Sequence, residues 1–263
     1  MKIDYKKEEL ILSVKDVQLT YDTKPILNGV NIDIHNITRP GLIQGQIVSI
    51  VGRSGCGKSS LFKLLSGYNK ATAGTILVDQ DQHEVQIGEM GVVPQDYPLF
   101  NHRTVMQNLD LALKSQKGTE KLDTINSYAA HFELTEELPK FPCDLSGGQR
   151  QRVSILQQVL AGNRFILLDE PFSGLDTLMK DKVVELLVKV ANLDELNTLI
   201  IVSHDIESAC AISDTVFVLT NTDGNGSSIV KTYDFLAEGL AYQHGIKEDP
   251  RFRSIIQEIK TLL

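Results

Sequence analysis

The chain has 263 residues, 42% of them apolar and 23% charged, values typical of a soluble globular protein with a sizeable core. Its 26 basic and 34 acidic side chains give a net charge of −8, which argues against binding nucleic acid through a basic face. No apolar run approaches the roughly 18 residues of a membrane span, and residues 1–10 carry lysines but no apolar stretch of a secretory signal.

Taken in chain order, Leu12, Val14, Val17 and Leu19 stand between polar residues, the pattern of half-buried antiparallel strands. From Gln46 the pattern becomes a continuous run, Ile47-Val48-Ser49-Ile50-Val51, which fits a strand covered on both faces. Phe165–Leu168, Thr198–Val202 and Val216–Leu219 read the same way, so a largely parallel α/β sheet is predicted. Between about Asp96 and Leu160 strand signals are missing. There Val105, Leu109 and Leu113, then Leu122, Ile125, Tyr128 and Ala129, recur at helical spacing and predict an inserted helical subdomain. Glu133–Glu137 reads as a solvated helix start. Asp223-Gly224-Asn225-Gly226 suits a hairpin turn, and Phe252, Ile255, Ile256, Ile259 and Leu262 predict an amphipathic terminal helix. The three cysteines (Cys56, Cys143, Cys210) have no CxxC spacing and point to a reducing compartment. His83, His131 and His244 are scattered and make no metal constellation.

Gly52-Arg53-Ser54-Gly55-Cys56-Gly57-Lys58-Ser59 matches the phosphate-loop pattern GxxxxGK[ST], with a buried strand before it and an apolar helix (Leu61, Phe62, Leu64, Leu65) after it. Glycines let backbone N–H groups turn toward phosphates, and the helix N-terminus adds partial positive charge. Lys58 is placed to reach the β- and γ-phosphates and Ser59 to sit on Mg²⁺, with Ser60 next to it at the helix start. Cys56 reads as a small space-filling member of the loop. Phe165–Leu168 ends in Asp169-Glu170. An isolated DE pair at a strand end is as a rule an acidic turn. Beside a phosphate loop, Asp169 fits a water-mediated Mg²⁺ ligand and Glu170 the acceptor of a proton from attacking water.

Leu145-Ser146-Gly147-Gly148-Gln149 resembles the signature motif of ABC ATPases, and it lies about twenty residues before the acidic strand, where that family has it. The two glycines open a helix, so Ser146 and the N–H groups after it form a second anion site. By this resemblance Gln95 is the glutamine that senses Mg²⁺ and the γ-phosphate, and His204 the switch histidine. Asp176, in Ser173-Gly174-Leu175-Asp176, belongs to the loop that crosses between paired subunits, and Tyr21 is the aromatic stacking on adenine. Most relatives continue after Arg152 with an Ala-Arg-Ala-Leu-like helix, whereas this chain has Ile155-Leu156-Gln157-Gln158-Val159-Leu160.

The resemblance implies one ABC ATPase domain over residues 1–263. Its ATP-binding core is 1–95 and 161–235, its helical subdomain 96–160 and its helical tail 236–263. The implied fold is a mostly parallel P-loop NTPase sheet with an N-terminal antiparallel β subdomain and the helical insertion. It further implies Mg-ATP hydrolysis, with catalytic roles for Glu170, His204, Gln95 and Lys58. Each ATP then lies between the phosphate loop of one chain and the signature motif of a second, either a copy or a homologous subunit. The other expected partners are transmembrane permease subunits and, indirectly, a substrate-binding protein, with no nucleic acid; the place is cytoplasmic, peripheral on the inner face of the cell membrane. Asp96–Val105 and Arg39-Pro40-Gly41 are similar to importer ATPases of the nitrate/sulfonate/taurine type. An export or lipid-extraction ATPase would carry nearly the same motifs. A soluble ABC ATPase of DNA repair or translation would as a rule carry two cassettes or a long coiled-coil insertion.

Overall fold

Two long strands open the chain, β1 (Lys6–Tyr21) and β2 (Lys24–Thr38), followed by β3 (Gln46–Val51) and the short helix α1 (Lys58–Leu65). Next come β4 (Ala73–Val78), β5 (His83–Glu84) and β6 (Gly91–Val93), then, with no strand among the described residues between β6 and the next strand, α2 (Val105–Asp110), α3 (Thr119–His131) and α4 (Gly147–Leu160). The chain returns to alternation in β7 (Phe165–Asp169), α5 (Thr177–Ala191), β8 (Thr198–Ser203), α6 (Ile206–Ile212) and β9 (Thr215–Thr220), and closes with β10 (Ser228–Asp234) and α7 (Pro250–Leu262). This computed structural model describes residues 4–113, 119–241, 243 and 245–263; His244 lies outside them.

β1, β2, β4 and β5 form an antiparallel sheet in the order β2-β1-β4-β5. The buried positions of β1 change parity between Val14 and Val17 because the pairing is irregular there. Asp16 takes φ 48° at that point, and Asn31 holds it by accepting its N–H and donating to its carboxylate. Ile11 to Val14 are all buried, so this part of β1 is covered on both faces rather than half-exposed as its alternation predicts.

The second sheet has the order β10-β9-β3-β8-β7-β6, parallel except for the β9–β10 hairpin, whose turn holds residues 223–226. Its inner strands face two cores. Ile47 and Val51 join the core with the helices and tail, while Val48 and Ile50 join the core with α1 and the antiparallel sheet. Ile166/Leu168 against Phe165/Leu167, and Leu199/Ile201 against Ile200/Val202, divide the same way. Two-sided burial explains the unbroken apolar runs, each buried side chain contributing about 1.5–3 kcal/mol.

Three predicted faces need correction. Leu122 is exposed on α3, whose contacts run through Ile125 and Ala129, and its first turn is tied to α2 by the Lys121–Asp110 ion pair instead. Leu262 is also exposed, α7 burying Phe252, Ile256 and Ile259. Thr135–Glu137 forms a single 3-10 turn in which Glu137 is buried, because its carboxylate has a partner on α4.

Candidate functional site

Register gathers the predicted residues. Val51 pairs with Ser203 across β3–β8, and Asp169 pairs with Val202 across β8–β7, so these strands end level with one another. The loops that follow them open on one edge of the sheet, the edge at which parallel α/β sheets hold ligands.

The phosphate loop is a backbone cradle. Gly55 and Gly57 have φ 82° and 94°, and a side chain on Gly57 would press against Ile26 and Leu27 of β2. α1 starts directly after Gly57 with no side-chain cap, leaving its first N–H groups to an anion. Lys58 is buried, donates to the carbonyls of Gly52 (2.9 Å) and Arg53 (3.0 Å), and lies 3.4 Å from Glu170 Oε1. Ser54 and Ser59 are exposed and Ser60 is half-buried. Cys56 packs where a side chain on Gly52 would have to go, and burial pushes its thiol up against the opposing pull of Lys58.

Asp169 and Glu170 leave the end of β7 in different environments. Burial, and then the neighbouring Glu170, raise the Asp169 carboxyl above its usual range, and its Oδ1 is buried without a hydrogen-bond partner. Glu170 has φ 50°, a strained setting for a non-glycine residue of the kind found at functional sites. Its Oε2 accepts from the N–H (3.0 Å) and Nδ1 (2.7 Å) of His204 and from the Ser203 hydroxyl (3.3 Å). An ionised carboxylate only accepts, so the His204–Glu170 contact calls for the tautomer with its proton on Nδ1. Asp205 caps α6 by accepting Ser208 N–H, donates its own N–H to Ser203 Oγ and pairs with Lys180 of α5. Burial alone would raise Asp205, but the bonds from Lys180 and Ser208 together outweigh it and hold its carboxyl low.

The signature residues form a helix start of their own. Ser146 caps α4 by accepting Gln149 N–H (3.3 Å), and Gln149 Oε1 accepts Ser146 N–H (2.8 Å). Gly147 has open space around it and Gly148 lies against Met179. Asp176 caps α5 through Met179 N–H (2.9 Å). None of the recorded bonds of Ser146 or Gln149 reaches residues 52–60 of the same chain. Gln95 follows β6 and donates to Ser173 Oγ at 3.4 Å, with no recorded bond to Asp169 or Ser59. Tyr21 lies on the β1–β2 hairpin, its hydroxyl accepting from Asn69 (3.0 Å) while Ile26 of that hairpin borders Gly57. Gln157, at the departure from the family pattern, donates to Asn108 O (2.9 Å) and so ties α4 to α2.

The fit of Mg²⁺ follows from the donors. The Asp169 carboxylate, with its orphaned Oδ1, and the neighbouring Ser59 hydroxyl offer hard oxygen donors, the kind Mg²⁺ takes together with substrate phosphates. Among the described residues no cluster of three His, Cys, Asp or Glu holds a metal by itself. Ser203, Asp205, Lys180 and Glu137 were not among the predicted site residues, and only Ser203 and Asp205, flanking His204, had a positional hint in the sequence.

A phosphate loop, an acidic strand end and a separate serine-capped helix on this sheet define a P-loop ATPase. Residues 38–173 match the ABC transporter family, and the chain belongs to that family as an ATP-binding, ATP-hydrolysing subunit. It is similar to the Nitrate import ATP-binding protein NrtD of Synechocystis sp., at 33% identity over 89% of this chain and 86% of that one. It is also similar to the Aliphatic sulfonates import ATP-binding protein SsuB 2 of Agrobacterium fabrum, at 34% identity over 76% and 72%. Among solved structures, cbiO1 from Clostridium perfringens, part of the ABC transporter complex cbiONQ, superposes with TM-score 0.74 at 25% identity, covering 95% of this chain and 100% of that one.

Proposed function

We propose that this chain is the motor subunit of a membrane importer for a small anion, working as a head-to-tail dimer on permease subunits at the inner face of the cell membrane. One observation carries the dimer: the phosphate cradle and the Ser146 cap are separate anion sites in one chain, with no recorded bond between them. Two chains facing each other complete two sites. The dimeric structure of MJ0796, a bacterial ABC transporter cassette, shares this fold with TM-score 0.69 at 25% identity and supports the reading. For the cargo, relatives named for nitrate, sulfonates and bicarbonate match over 72–86% of their own length, apart from a bicarbonate transport protein, CmpC, matched over 30%. Those named for alpha-glucosides and spermidine/putrescine match over 57% and 55% of theirs. In keeping with a soluble partner of a separate permease, no helix among the described residues is long and apolar enough to cross a membrane. A groove of about 450 Å³ between the core and the helical segment, edged by Tyr68, Ile87 and Leu113, offers the permease a contact. We read residues 1–263 as one domain, with 96–160 as the helical insertion.

In the mechanism, the N–H groups of residues 55–60 and Lys58 hold the phosphates, Lys58 exchanging the Gly52 and Arg53 carbonyls for phosphate oxygens. Tyr21 stacks on the base, Ser146 to Gln149 of the second chain close over the γ-phosphate, and Asp176 lines the join. Glu170, oriented by His204 and Ser203, accepts the proton of the attacking water. Ser59, Gln95 and Asp169 would hold Mg²⁺, which would neutralise phosphate charge when bound. Glu170→Gln is expected to keep ATP binding, lose turnover and accumulate as an ATP-bound dimer on size-exclusion chromatography. Turnover at the native rate would remove Glu170 as the base.

A further inference from the structure

Glu137 lies outside every motif, yet it is only 9% exposed and directs its carboxylate at the signature helix. Its Oε1 accepts a 2.7 Å hydrogen bond from Gln149 Nε2, with Lys140 Nζ at 3.6 Å as the compensating charge. The other end of the same amide, Gln149 Oε1, accepts Ser146 N–H at 2.8 Å. A glutamine amide has one accepting and one donating end, and a carboxylate next to it settles which end is which. With Nε2 turned to Glu137, Oε1 must face Ser146, and the reciprocal cap of Ser146 and Gln149 is locked. In that cap Ser146 Oγ accepts from Gln149 N–H, which leaves the hydroxyl proton to donate outward.

Glu137 is itself held by backbone. Leu138 O and Lys140 O accept the N–H groups of Met106 and Val105, the first residues of α2, with bonds of 2.9 and 2.8 Å. A carboxylate near an anion site is otherwise unfavourable, so its burial here calls for a positioning reason.

We propose that Glu137 is a positioning residue that presets the signature serine for the γ-phosphate bound by a second chain, acting through the Gln149 amide. This rests on the head-to-tail reading above. Without Glu137 the amide is free to reverse, Ser146 loses its fixed orientation, and the closed dimer is weakened while nucleotide binding by a single chain is not.

The test measures two quantities in the Glu170→Gln background: fluorescent ATP-analogue binding by dilute monomer, and the protein concentration at half-dimerisation with ATP by light scattering. Glu137→Ala is expected to leave monomer binding unchanged and to raise the half-dimerisation concentration about a hundredfold, roughly tenfold for one charge-assisted bond at each of the two sites. Glu137→Gln, which keeps an accepting oxygen but can also present its NH2 to Gln149, is expected to recover only part of the loss. In the native background the Ala variant lowers kcat with KM for ATP held. Dimerisation equal to the parent overturns the role of Glu137 alone. A parallel fall in monomer binding, or equal loss in the Ala and Gln variants, overturns it as well by pointing to general damage. Failure of the Glu170→Gln parent to dimerise overturns the head-to-tail reading itself and the role of Glu137 with it.

Discussion

Glu170 is the residue on which most of the local geometry converges. The ends of two strands supply its partners, Lys58 at the start of α1 after β3 and Ser203 with His204 at the end of β8, and its own backbone is strained. Elsewhere single residues act as clamps without chemistry. His83 on β5 is bonded at 2.7 Å to Asp81 and at 2.6 Å to Glu89, and Glu89 also accepts the N–H of Gln86. Bonding to Asp81 first and Glu89 second pushes the imidazole up to about 9. Because the folded value lies above the unfolded one of about 6.5, the clamp contributes fully below pH ~6.5 and is lost as pH rises through ~9. The His83 ring resonances followed by NMR are expected to titrate near 9; a midpoint near 6.5 would mean the clamp does not form in solution.

At the scale of elements, the connection from β2 to β3 shows how a buried charge is used to join pieces. Arg39 is fully buried, pairs with Asp214 before β9, and donates to the carbonyls of Gln44 (3.1 Å) and Gly45 (2.8 Å). Asp214 in turn accepts the N–H of Ile47, the second residue of β3 (2.9 Å). The pair thus ties the antiparallel sheet to the strand that carries the phosphate loop. Arg39→Met removes the guanidinium from a buried ion pair, and should cost about 3–5 kcal/mol, or roughly 6–20 °C in the unfolding midpoint. A thermal scan within 2 °C or so of the parent would contradict that role. The cap of α4 belongs to this scale too, since Glu137 on one turn and Gln149 on another element decide how Ser146 stands.

For the whole molecule, a phosphate cradle and a signature cap with no hydrogen bond between them predict that activity is shared between chains. Lys58→Ala spoils the cradle and keeps the cap; Ser146→Arg spoils the cap and keeps the cradle. Each alone is expected to lose ATP hydrolysis. Mixed in equal amounts they should recover about a quarter of native activity, since half of the dimers are mixed and each of those holds one intact site of two. No recovery above the sum of the separate variants would count against a site completed by a second chain.

Much of this was legible from residue order. The apolar runs of β3, β7, β8 and β9 gave away a two-sided sheet, because strands buried on both faces have no polar face to show. The phosphate loop, the acidic pair and the SGGQ string are local, since backbone conformation at consecutive residues performs their task. Packing decided the rest. Leu122 and Leu262 carry the right residue type at helical spacing, yet face outward because Ile125 and Ala129, or Ile256 and Ile259, already fill the contact. The bulge at Asp16 depends on Asn31, fifteen residues on, and the pairs Arg39–Asp214 and Glu137–Gln149 join residues 175 and 12 positions apart. Ionic and hydrogen-bonded partners leave no period in a sequence, so those pairings became visible only when the tertiary fold brought the groups within bonding distance.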